Sequence, residues 1–104
     1  RLNNNALNLL SLYYTNASEV SQILDDNPAM KKRLNDLVVT NMCIAEEILL
    51  KGSATVRKNV TNGVTDYLND LKTYGSPKLQ ADIAVVIRGI EDKSLLNGIV
   101  VRVE

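Results

Sequence analysis

The chain of 104 residues contains no histidine. That absence excludes His-based general acid–base catalysis, Ser-His and Cys-His nucleophile pairs, and most zinc and iron sites. A di-metal helical-bundle site would also need a Glu-x-x-His pattern, which cannot occur here. The single cysteine, Cys43, cannot form an internal disulfide, so the fold does not rest on a disulfide framework. As a nucleophile it would need Lys or Tyr as its base, and Glu46 and Glu47 one turn on disfavour its thiolate. The five glycines stand singly and far apart, so no loop is suited to cradling phosphate.

Excess charge of either sign is lacking as well. Twelve basic residues offset twelve acidic ones, which leaves no net field to draw the chain to a nucleic-acid backbone or an anionic membrane surface. The basic cluster Lys31-Lys32-Arg33 lies in a first helical turn, close to Asp36, and reads as a solvated face. No apolar run reaches the roughly 18 residues of a membrane span, and the Asn-rich start lacks the basic and apolar regions of a signal peptide. Among the carboxylates, Asp25-Asp26-Asn27 lacks the alternating ligands and glycine of a calcium loop. Glu46 and Glu47 diverge by about 100° on a helix and cannot readily share a proton or a metal ion. Solvated or capping roles are expected for these groups. Asn16-Ala17-Ser18 and Asn59-Val60-Thr61 match the glycosylation tripeptide, a match common by chance in an Asn-rich chain.

What remains is ordinary globular composition, 45% hydrophobic and 23% charged, at the length of one domain. Apolar residues recur at helical spacing. Leu2, Ala6, Leu9, Leu10 and Tyr13 give a short first helix, and Val20, Ile23 and Leu24 give a brief second one behind a cap at Ser18. Asn27-Pro28 supplies a cap followed by proline at the first helical position. Three long helices are then predicted at 28–50, 53–74 and 77–92, separated by Lys51-Gly52-Ser53 and Gly75-Ser76-Pro77. Each link combines a glycine suited to a left-handed helix end with a serine cap. The expected fold class is all-α, an antiparallel helical bundle of four to five helices. No second copy of the helical hairpin recurs at a fixed period, which favours a bundle over a solenoid.

In the 28–50 segment, Met30, Leu34, Leu37, Val38, Met42, Ile44, Ala45, Ile48 and Leu49 fill one arc of roughly 160°. Val39, Cys43 and Leu50 form a thinner apolar line opposite, so this helix is expected at the centre of the fold. The 53–74 helix carries one clean stripe through Val56, Val60, Val64, Tyr67, Leu68, Leu71 and Tyr74 and is expected at the periphery. Gly63, at the stripe's edge, would permit a close helix approach. The 77–92 helix buries Leu79, Ile83, Val86, Ile87 and Ile90.

Asn97-Gly98 reads as a turn, and Ile99-Val100-Val101-Arg102-Val103 is β-branched and reads as extended. The expected division is a helical domain over 1–98 and, over 99–104, an extended tail or the start of a following segment. With Arg1 in place of Met at its start, the chain reads as processed or as an excerpt from a longer protein.

Two polar groups fall where burial is expected. Asn41 lies near the middle of the wide arc, where an unpaired amide would cost on the order of 1–3 kcal/mol. A partner that fixes helix register is expected for it, with ligand contact the other reading. Tyr67 is the second such residue. The expected function is a non-catalytic helical interaction or structural module. It would engage another protein or domain through helix faces or through Ile99, Val101 and Val103. The alternative is a carrier or sensor of a small apolar ligand held between helices, with Met30, Met42 and Tyr67 as adaptable lining. No enzyme activity, cofactor, metal or nucleic-acid partner is expected.

Overall fold

The computed structural model describes the backbone of residues 2–103 and the side chains of residues 2–90. Among these residues it contains six helices: α1 Asn4–Thr15, α2 Ala17–Asp26, α3 Pro28–Met42, α4 Glu46–Lys51, α5 Ala54–Lys72 and α6 Pro77–Val103. The all-α bundle expected from the sequence is therefore what the chain forms.

Small polar residues place most of the helix boundaries. Asn3 is extended, with φ −73° and ψ 162°, and its Oδ1 accepts the Ala6 N–H at 2.9 Å, which starts α1. Asn16 ends α1 by donating its N–H to the Leu12 and Tyr13 carbonyls, and α2 begins on its far side. Asn27 closes α2 in the same way before Pro28, whose missing N–H is harmless at a first helical position. Ser53 accepts the Val56 N–H at 3.1 Å and opens α5. Ser76 Oγ accepts the Leu79 N–H at 3.3 Å and opens α6.

The antiparallel arrangement follows from which residues meet. Asn3 and Asn5 of α1 reach Asn41 of α3. Arg33 of α3 reaches Asp70 of α5, and Asn16 after α1 reaches Asp82 of α6. The buried apolar core gathers Leu9 and Leu12 of α1, Val20, Ile23 and Leu24 of α2, and Met30 of α3. From α5 and α6 it takes Val64, Tyr67, Leu68, Leu71, Leu79, Ile83 and Ile90.

The structure corrects the sequence reading at the α2 cap, where Asn16 and not Ser18 precedes the helix, and in four larger respects. The predicted 28–50 helix is broken: α3 stops at Met42, and α4 begins at Glu46. The cause is distant in sequence, because the Asn3 side chain occupies carbonyls at the break. The C-terminal segment is not extended, since α6 continues through Val103. A helix pairs its own N–H and C=O groups, which a lone strand cannot do, and the single Gly98 costs only about 1 kcal/mol against that.

The third correction concerns the ranking of helices. α1 packs against α2, α3, α5 and α6 and is the central element. α5, expected at the periphery, supplies the fully buried Val64, Tyr67 and Leu68, while Val39 and Met42 of α3 are exposed. The wide apolar arc requires one continuous helix over 28–50, and the fold divides that segment into α3 and α4. The fourth concerns glycine. No glycine among the described residues has positive φ, and Gly52 is extended at φ −68° and ψ 167°. Gly75 is needed for space, since a Cβ there would meet Leu79 Cδ2 at 2.9 Å. Gly63 is not so confined, because its nearest neighbour, Leu37 Cδ2, would lie at an ordinary 3.6 Å.

Candidate functional site

The densest group of buried polar side chains joins the start of α1 to the end of α3. Asn3, Asn5, Asn41 and Glu46 are all buried. The Asn3 Nδ2 donates to the Asn41 carbonyl at 2.8 Å, the Ile44 carbonyl at 3.0 Å and Asn41 Oδ1 at 3.3 Å. Asn5 Nδ2 also donates to Asn41 Oδ1, at 3.4 Å. Asn41 Nδ2 turns back onto its own helix and donates to the Leu37 carbonyl at 2.8 Å. Glu46 completes the group: its carboxylate accepts the Asn4 backbone N–H at 2.7 Å and Asn4 Nδ2 at 3.0 Å. A negative group there complements the unused N–H donors and the positive dipole end of α1.

Asn41 thus has protein partners on its amide nitrogen and its side-chain oxygen. Asn3 and Asn5 carry no sequence expectation, and Glu46 carries only that of a solvated or capping carboxylate. An Asn run directly before an apolar period is a helix-start signal and could have marked Asn3. Nothing local marks Glu46, because the helix it caps lies 42 residues away.

A second polar node ties the α1–α2 corner to the start of α6. Asn16 Nδ2 donates to Asp82 Oδ2 at 3.1 Å, and Lys78 Nζ donates to Asn16 Oδ1 at 3.0 Å and to Asp82 at 3.1 Å. The hydrogen bond from Asn16, followed by that from Lys78, holds the Asp82 carboxyl below its usual range. Glu19 accepts from the Ser76 N–H at 2.6 Å and from its hydroxyl at 2.8 Å, capping α6. Asn16 is buried in this node, so its tripeptide is not open to modification in the folded chain, whereas Asn59 is exposed on α5.

Tyr67 is fully buried, and its hydroxyl finds no hydrogen-bond partner among the described residues. Burial pushes its pKa up to about 12, against the opposing pull of the Arg33 guanidinium. That guanidinium stands 5.5 Å from the ring centroid and bonds Asp70 at 2.6 Å. Tyr67 borders a core void of about 10 Å³ among Leu9, Leu12, Tyr13, Val20, Leu34, Leu68 and Leu71, room for scarcely one water molecule. Met30 lies in the core and Met42 on the surface, so Met30, Met42 and Tyr67 do not line a common cavity.

Two open grooves are larger. One, of about 240 Å³, runs between α1, α2 and α3 over Leu9, Leu10, Tyr13, Leu24, Leu34 and Val38, with Lys31 and Asn35 at its edge. The other, of about 230 Å³, lies between α1 and α6 at Ser11, Leu12, Thr15, Asp82, Val85 and Val86.

Of the exposed large apolar side chains among the described residues, Leu7, Tyr14, Tyr74 and Val85 are spread along the chain, and five fall between the end of α3 and the start of α5. Val39, Met42, Ile48, Leu50 and Val56 all face solvent, and Ile48 is 64% exposed. Cys43 is exposed at the same break. Ile99, Val101 and Val103 belong to α6, and their side chains lie outside the described residues. Among the described residues no helix is long and apolar enough to cross a membrane, and no three His, Cys, Asp or Glu side chains group to hold a metal ion. Comparison with protein-family models, curated proteins and solved structures finds no match to this chain.

Proposed function

We propose that this chain is a non-catalytic helical interaction or structural module that engages another protein or domain. The observation that carries this reading is the run of exposed apolar side chains from Val39 to Val56. Exposed apolar side chains grouped in one stretch of the fold are more often a contact surface than singly scattered ones are. The polar clusters offer no competing chemistry, because their donors and acceptors are directed at one another and at helix ends.

A photocrosslinking side chain at position 48 tests the reading in an extract of the source cells. Residue 48 should yield a discrete protein adduct, and the same group at Asn69, exposed on the polar side of α5, should not. Equal or absent labelling at the two positions would remove the interaction reading.

A second reading, carriage of a small apolar ligand, is favoured by the groove over Leu9, Leu10, Leu24, Leu34 and Val38. Leu10→Lys should then abolish uptake of an apolar fluorescent probe and leave crosslinking at position 48 unchanged.

A further inference from the structure

We propose that the polar clamp between the start of α1 and the end of α3 is a conformational switch: it holds residues 28–51 as two helices that join into one when Asn3 withdraws. Four features of the break carry this inference.

No glycine or proline lies between Pro28 and Gly52. The chain turns instead at Ala45, the residue type most favourable to a helix. Ala45 has φ −63°, already helical, and only its ψ of 151° departs from helical values; Cys43 is fully helical at φ −79° and ψ −12°. No glycine or proline therefore stops the helix, and the one local competitor for its hydrogen bonds is the Asn41 side chain, which donates back to the Leu37 carbonyl.

The second helix starts badly. α4 has no side-chain cap, so the N–H groups of Glu46, Glu47 and Ile48 have no helical acceptor. In a joined helix they would find theirs on Met42, Cys43 and Ile44.

Asn3 competes directly for two of the acceptors that a joined helix needs. Its Nδ2 sits on the carbonyls of Asn41 and Ile44, at 2.8 and 3.0 Å. In a continuous helix those two carbonyls accept from the N–H groups of Ala45 and Ile48. A carbonyl can accept two donors, but in the broken form the Asn3 amide stands on both of these in place of the N–H groups of Ala45 and Ile48.

The remaining contacts favour the broken form. Leu2 pairs with Ala45 in an isolated antiparallel bridge, and the Glu46 carboxylate reaches back to Asn4. Residues 2–5 therefore hold the break, and their withdrawal frees it. Since α4 carries the exposed Ile48 and Leu50, the joined form re-aims the apolar end of the molecule. The switch does not depend on whether that end binds a partner.

Amide hydrogen exchange on the full chain, read residue by residue by NMR, tests this. Asn3→Ser keeps an α1 cap and removes the forked amide donor. It should slow exchange at Glu46, Glu47 and Ile48 at least about tenfold and move the Ala45 Cα shift from the extended to the helical side. Glu46→Gln weakens the other half of the clamp without touching the α1 cap residue and should move the same amides in the same direction. Adding Ala45→Gly to Asn3→Ser should restore the fast exchange of the wild type. If these three amides exchange as fast as in the wild type or faster in both single variants, with Ala45 still extended or unstructured, the clamp is only a brace and the switch is wrong.

Discussion

A tyrosine hydroxyl buried without a partner costs about 1–3 kcal/mol, and Tyr67, in the core, finds none among the described residues. Its ring fills the core and faces Arg33, so the hydroxyl is the one part of the side chain whose removal relieves a cost. Tyr67→Phe should therefore stabilise the chain by up to about 1 kcal/mol at neutral pH, measured by urea unfolding. The pH dependence has a definite sign. With a folded pKa near 12 against 10.0 in the unfolded chain, the unfolded state loses the phenolic proton first. Tyr67 thus contributes fully below about pH 10, and its contribution falls away between pH 10 and 12. The difference in stability between wild type and Tyr67→Phe should be flat below pH 10 and widen above it. A difference curve flat through pH 12 would show that burial does not raise the Tyr67 pKa, and a loss of more than about 1 kcal/mol on substitution would show that the hydroxyl has a folded-state partner.

At the scale of elements, the packing of α1 on α3 rests on amides as much as on apolar contact. Asn41 Oδ1 accepts from both Asn3 and Asn5, and its Nδ2 engages Leu37. Asn41→Leu removes the shared acceptor and leaves the Asn5 amide buried with no partner there, so a loss of about 1–3 kcal/mol in chemical unfolding is expected. Stability equal to or above that of the wild type would return Asn41 to the role of a ligand contact. The same cluster explains what was legible in the sequence and what was not. The caps at Asn27, Ser53 and Ser76 were readable because a cap and its helix are adjacent. The division of α3 from α4 was not, because Ala45 has no local reason to stop a helix and Asn3 acts from 38 residues upstream of Asn41. The need for a partner at Asn41 was readable from its place on the arc, but the identity of that partner was not. The β-branched run at 99–103 favours extended backbone by propensity alone, but the sequence offers it no partner strand, and the chain extends α6 through it.

Across the whole molecule, the buried half of α5 and the polar clamp lie towards opposite ends. α5 buries Val64, Tyr67, Leu68 and Leu71 from its later half, opposite the start of α3 at Met30 and Arg33. The other end, made by the close of α3, by α4 and by the start of α5, is held by Asn3, Asn41 and Glu46 and leaves Met42, Ile48 and Val56 in solvent. Removing apolar area from water is worth about 25 cal/mol per Å², and each clamp hydrogen bond contributes about 1 kcal/mol net. The clamped end should therefore open well before the core does. Native-state hydrogen exchange in low urea separates the two. Amides of Leu68 and Leu71 should exchange only through global unfolding, with a steep dependence on urea. Those of Leu49 and Leu50 should exchange through a local opening with little urea dependence, at least about tenfold faster. If α4 and the later half of α5 share one opening free energy and one urea slope, the bundle is a single cooperative unit, and the apolar end is no looser than the rest.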